Sequence, residues 1–167
     1  MRSKIILFII FSWAGLFAQS RTGDIMIRNG NVLTITKGNL EDSDVLIQNG
    51  KIAAIGKDLR APSGIKEIDA TGKYIMPGII DAHSHIAIDA VNEGTHPVTS
   101  EVKVGDAIDP FDIGIYRALA GGVTTSHAMH GSANAIGGQC QTLKHRYGEM
   151  DPEQFVFKDA PRTIKFA

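Results

Sequence analysis

The chain has 167 residues, with 17 lysines and arginines interspersed among 18 aspartates and glutamates for a formal net charge of −1. No run of like charge occurs, so the basic face that nucleic acid requires is missing and no nucleic-acid partner is expected. A hydrophobic content of 43% is ordinary for a globular domain and excludes a disordered chain, while the single cysteine excludes a disulfide within these residues.

Arg2 and Lys4 give a basic start, Ile5 to Phe17 is an apolar run of 13 residues, and Ala18-Gln19-Ser20 offers small residues at a cleavage point. That order predicts a signal peptide over residues 1–20. The apolar run falls short of the roughly 20 residues that span a bilayer, so export to the periplasm or extracellular space is expected, without a stable membrane anchor. From Asp24 to Met76 the pattern is β. Two hairpins are predicted, one in Ile25 to Ile35 around Asn29-Gly30-Asn31 and one in Val45 to Ile55 around Asn49-Gly50, because a type I′ turn needs positive φ at both central residues. Thr71-Gly72 turns the chain again before a strand at Tyr74 to Met76. Pro77-Gly78 then breaks it, which sets a domain boundary between residues 21–77 and residues 78–167.

A strand follows from Ile79 to His85. Ile86 to Ile108 carries Asn92, Gly94, Pro97 and Gly105 with little periodicity, and reads either as a functional roof over a pocket or as a solvated excursion. Asp109-Pro110 supplies an N-cap and a first-turn proline to a helix running to Ala120, stopped by Gly121-Gly122. Val123 to Met129 reads as the next strand, and the strand, helix, strand order implies a parallel sheet in an α/β fold. Thr163 to Ala167 alternates as a strand does, with no stop signal, and reads as a strand cut in the middle.

The chemistry concentrates at Asp81-Ala82-His83-Ser84-His85. Residues two apart on a strand share a face, so Asp81, His83 and His85 are expected to project together. Neutral imidazole is a common ligand for zinc, and such a pair supplies half of a four-coordinate site. Two ordinary strand histidines are the plainer alternative. His127 and His130 fall at and just beyond the end of the next strand. Being three apart, only one can share its inward face; His130, beside Gly131, reads as a substrate-contacting or ligand-orienting group. Ser132, Asn134 and Gln139 offer neutral donors and acceptors among small residues, suited to a ligand or simply to a tight glycine-rich turn. His96 and His145 sit in polar contexts and read as exposed. Cys140 reads as a small buried residue or as a free thiol near the site.

Pro77, Gly78, Asp81, His83 and His85 match the Pro-Gly-(apolar)2-Asp-x-His-x-His signature of the amidohydrolase superfamily, which the chain resembles. The resemblance extends upstream over Ile25 to Met76 and downstream through Gly121-Gly122-Val123-Thr124-Thr125. Gly131 to Gln139 is similar to a stretch of the imidazolonepropionase-like and prolidase-like branch. It implies a TIM-like (β/α)8 barrel preceded by a small β-sandwich domain, of which residues 21–77 would be the N-terminal part and residues 78–167 the barrel's N-terminal portion. Such a barrel takes about 250 residues, so the chain is expected to be a truncated N-terminal fragment, inactive alone.

The resemblance further implies a divalent metal, zinc above all, as one or two ions held by His83, His85 and, through a carboxylated lysine bridging two metals, Lys165. Asp81 would orient a ligand, and the general-base aspartate is expected downstream of Ala167. The implied reaction is attack of metal-activated water on a small-molecule substrate, at a C–N bond of a cyclic amide, a dipeptide-like amide or an amidine. A deaminase of the same superfamily and a non-catalytic exported module binding metal or ligand are the alternatives, and a homo-oligomer is left open.

Overall fold

Two compact units make up the chain, one ending at Met76 and the other beginning at Pro77; the computed structural model describes residues 23–167, and the signal-peptide reading lies outside them. In the first unit, β1 (Ile25–Leu33), β2 (Asn39–Gln48), β3 (Lys51–Gly56) and β4 (Lys66–Asp69) order as β3-β2-β1-β4, with β5 (Tyr74–Ile75) also pairing with β1. β1 runs antiparallel to β2 and parallel to β4 and β5. Met26, Val32, Val45 and Ala70 are its buried apolar residues.

Asn49 and Gly50 both adopt positive φ, 52° and 70°, and join β2 to β3 as the expected tight hairpin. The expected hairpin at Asn29-Gly30 is not formed. β1 continues straight through it, and the left-handed Asn29 (φ 58°) instead makes an irregularity at which the register with β2 shifts on both sides of Gly30. Two contacts distant in sequence account for the difference. The Asn29 amide donates to the Asp44 carboxylate at 3.0 Å, and Gly30 lies so close to the Ile75 side chain that a Cβ there would overlap it.

In the second unit, β6 (Ile79–Ser84) leads through the helix α1 (Ile113–Ala120) to β7 (Val123–Ala128), which pairs parallel with β6. The strands β8 (Ile136–Gln139) and β9 (Gln141–Lys144) follow; β9 lies antiparallel on β7, and the last strand, β10 (Ile164–Phe166), lies antiparallel on β8. The sheet is therefore mixed rather than wholly parallel. Ala87, Ile88, Val104, Ile115, Ala128, Leu143 and Phe155 form the core. The helix begins three residues later than Asp109-Pro110 would set it. Asp112 is the N-cap, one carboxylate oxygen accepting from Gly114 N at 2.7 Å and the other from Ala87 N at 2.7 Å. Asp109 closes the turn ahead of it, accepting from Phe111 N at 2.9 Å. At the far end Gly122 takes φ 86°, as a helix stop needs.

The 86–108 segment is tied along its length to the strands behind it. Val98 and Lys103 bridge to Ile136 and Gln139, and backbone bonds run from Thr99 N to Ile136 O (2.9 Å) and from Gln139 N to Val102 O (2.7 Å). It is a fixed wall. Among the described residues no helix is long and apolar enough to cross a membrane.

Candidate functional site

β6 delivers the histidine pair, but not by simple alternation. Asp81 pairs with Ser126 and Ser84 with Ala128, so three steps on β6 match two on β7 and one residue bulges between them. The Asp81 carboxylate closes this bulge by accepting from His83 N at 3.1 Å. Asp81 thus shapes the backbone under His83 rather than sharing a flat strand face with it. Ser84, on the buried side, fixes the strand's other face.

The two imidazoles, His83 on the bulge and His85 just past the end of β6, meet edge to face, with ring centroids 5.3 Å apart and planes at 78°. For metal–nitrogen bonds of about 2.1 Å in a tetrahedral arrangement, two imidazoles sharing one ion have centroids roughly 5 Å apart. The pair fits that bite. His85 Nδ1 lies 2.9 Å from the Met129 carbonyl oxygen. A carbonyl only accepts, so Nδ1 carries a proton, and in the neutral ring it is then Nε2 that has the bare lone pair a metal ligand needs. The His83 ring makes no hydrogen bond among the described residues, and both side chains are exposed. No third histidine, cysteine or carboxylate joins them among the described residues.

Lys165 does not lie in the sheet that carries the pair; it is the middle residue of β10, in the β8–β10 ladder. His130 is brought near through its neighbour Met129, but its ring is buried and both nitrogens are engaged, Nδ1 with Gly131 O at 2.8 Å and Nε2 with Glu93 N at 2.7 Å. It is not open to a ligand. Asn134 is also buried: its amide nitrogen donates to Glu93 O, His96 O and Thr99 Oγ1, and its Oδ1 has no partner among the described residues. Gln139 donates to Ser100 O at 3.2 Å, and Ser132 is exposed. Of the group Ser132, Asn134 and Gln139, two therefore hold the 86–108 wall in place. Cys140 is half-buried.

His145, read as exposed, is buried instead. Its Nε2 accepts from Ser126 Oγ at 2.8 Å and its Nδ1 donates to Val123 O at 3.1 Å, cross-linking β7 to the end of β9. His96 is exposed, as its context suggested. His127, at the end of β7, is half-buried. It borders a cavity of about 410 Å³ with Ile80, Ala82, Thr125, Phe157 and Pro161. Its ring lies between two hydroxyls, Thr142 at 2.9 Å and Thr163 at 2.7 Å, and burial pushes its pKa down. Thr125 and His127, two apart on β7, share the strand face that lines that cavity.

No family model matches the chain. It is 40% identical over 104 residues to a dihydropyrimidinase of Dictyostelium discoideum, a match that takes in 62% of this chain and 18% of that protein. A D-hydantoinase of Geobacillus stearothermophilus is 43% identical over 100 residues, 60% of this chain and 18% of the relative. The chain thus spans under a fifth of these curated relatives' length. Among solved structures, an amidohydrolase from Thermotoga maritima MSB8 superposes with a TM-score of 0.73 at 40% identity, covering 81% of this chain and 37% of that one.

Proposed function

Because the chain belongs to the amidohydrolase superfamily, we propose that the protein is a metal-dependent hydrolase of a carbon–nitrogen bond other than an ordinary peptide bond. The observation that carries this is the His83–His85 pair, with ring centroids 5.3 Å apart and His85 Nδ1 against the Met129 carbonyl at 2.9 Å. A cyclic amide is the favoured substrate, supported by the dihydropyrimidinase and D-hydantoinase relatives. We take the β6-α1-β7 unit as the opening of a (β/α)8 barrel and the preceding sheet as part of a small β-sandwich. Arg2, Lys4 and the apolar run behind them support export.

Held by His83 and His85, a divalent ion, zinc in this reading, would supply Lewis-acid polarisation of the scissile carbonyl and activation of a water. The chain's own contribution is to hold and orient. His83 and His85 would hold the ion, Asp81 stiffens the bulge from which His83 projects, and the Met129 carbonyl keeps the proton of His85 off Nε2. In this reading the remaining ligands and the proton acceptor would come from residues other than those described.

The test is metal content after dialysis of the full-length protein. A tight site of four ligands binds zinc with roughly 10–16 kcal/mol, so one ligand is worth about 3 kcal/mol. His83→Ala and His85→Ala should each weaken zinc binding about 100-fold and abolish turnover. Full zinc occupancy in the double variant would overturn the assignment.

A further inference from the structure

His85 presents Nε2 only because its Nδ1 proton has somewhere to go, and the group that receives it is the carbonyl of the peptide joining Met129 to His130. One side of that peptide is fixed by β-ladder geometry, Met129 N–H donating to Ser84 O at 2.9 Å. The other side is fixed by His130. The residue is 2% exposed, its Nδ1–H donates to Gly131 O at 2.8 Å, and its Nε2 accepts from Glu93 N–H at 2.7 Å. A carbonyl only accepts and an amide N–H only donates, so this ring is neutral and of one tautomer.

Two further contacts hold the ring in place. Gly131 N–H donates to Val91 O at 2.7 Å, which ties the following peptide to the 86–108 wall. A Cβ at Gly137 would lie 2.7 Å from His130 Nδ1, so the ring is pressed against the Gly137 backbone and has no room to turn. The Met129–His130 peptide plane is therefore prevented from rotating at both ends.

We infer that His130 is a positioning residue for His85: anchored on Glu93 N–H and Gly131 O, it holds the Met129 carbonyl where that carbonyl receives the Nδ1–H of His85 and leaves Nε2 bare. The inference rests on the reading of His83 and His85 as metal ligands, and it gives His130 no contact with ion or substrate. A released imidazole in water samples both tautomers, and only the Nδ1–H form offers Nε2, so holding that form raises the binding-competent fraction. The direct partner of His85 is the Met129 carbonyl, and His130 acts on it from one step further out.

The experiment uses the full-length protein carrying ¹⁵N-labelled histidine, metal-free, at about pH 8, above the ordinary imidazole pKa of about 6.5. The ring-nitrogen shifts report the tautomer at His85, whose signals are assigned by their loss in His85→Gln. Wild type should show His85 as the Nδ1–H tautomer alone. His130→Phe, which keeps bulk and loses both hydrogen bonds, should give a mixture at His85 and weaken zinc binding by the inverse of the Nδ1–H fraction that remains, about 2–5-fold. His130→Gln, whose amide oxygen can still accept from Glu93 N–H, should restore part of both. Should His130→Phe fail to fold, Gly137→Ala displaces the ring without removing it and is read the same way. An unchanged Nδ1–H tautomer at His85 in a folded variant, or a wild type lacking that tautomer, overturns the inference. If zinc binding proves independent of His83 and His85, the proposed function fails while the metal-free tautomer result still judges the role of His130.

Discussion

Gly78 sits just ahead of the strand that carries the histidine pair, and its replacement by alanine should move that strand. Gly78 is not in the left-handed region, so φ permits a side chain and only space forbids one. A Cβ at this position would lie 2.7 Å from the Thr124 Cβ and closer still to its Oγ1 and Cγ2. The hydroxyl and methyl can swing away by rotation about χ1. The Thr124 Cβ cannot, because it is fixed to the backbone of β7. Reaching an ordinary contact of 3.4 Å requires β6 and β7 to part by about 0.7 Å, at a point where Ile79 N–H bonds Gly122 O at 2.9 Å. Overpacking of this kind costs about 1–3 kcal/mol. Equilibrium urea unfolding of the full-length protein, followed by circular dichroism, should show that loss in Gly78→Ala. A double-mutant cycle sharpens the test: Thr124→Gly should recover most of it, with a coupling of about 1 kcal/mol or more, whereas Thr124→Ala should not, since its Cβ remains. A stability change in Gly78→Ala below about 0.5 kcal/mol, or rescue by Thr124→Ala as complete as by Thr124→Gly, would refute the backbone-clash reasoning.

Two other outcomes can be checked directly. Asp44 is 3% exposed; burial pushes its carboxyl up, but the amides of Asn29 and Leu59 and the Arg28 guanidinium together hold it below the ordinary carboxylate range. A folded pKa below the unfolded one means that the stabilisation is present above about pH 4 and is lost as pH falls through the folded value. Asp44→Asn should therefore lower the urea midpoint near neutrality and flatten its fall in acid; an acid limb as steep as wild type's would count against this. The basic, apolar and small-residue start predicts a mature chain beginning near Ser20 or Arg21. Intact-mass analysis of exported material checks it, and retention of Ile5 to Phe17 would contradict it.

The sequence by itself determined the features whose physics is local. Asn49-Gly50 turns because both residues tolerate positive φ, and Gly122 stops the helix for the same reason. The βαβ order could be read from the 3.6 and 2 periodicities, and two histidines at a strand end could be recognised from their spacing alone. Tertiary structure decided whatever depends on a partner far along the chain. Asn29-Gly30 has the same letters as Asn49-Gly50 yet bulges instead of turning, because Asp44 takes its amide and Ile75 fills the space beside the glycine. Asp109 and Asp112 are both competent caps, and the helix starts from Asp112, which also receives the amide of Ala87, 25 residues earlier. His130 and His145 carry no sequence mark that separates them from exposed His96; burial by Gly137 and by Ser126 with Val123 does so. Even the pair at 83 and 85 owes its geometry to a bulge that exists only because β6 pairs with β7 out of step. Backbone dihedral preference is a property of one or two residues, whereas burial and hydrogen-bond satisfaction belong to contacts that the chain makes only once it has folded.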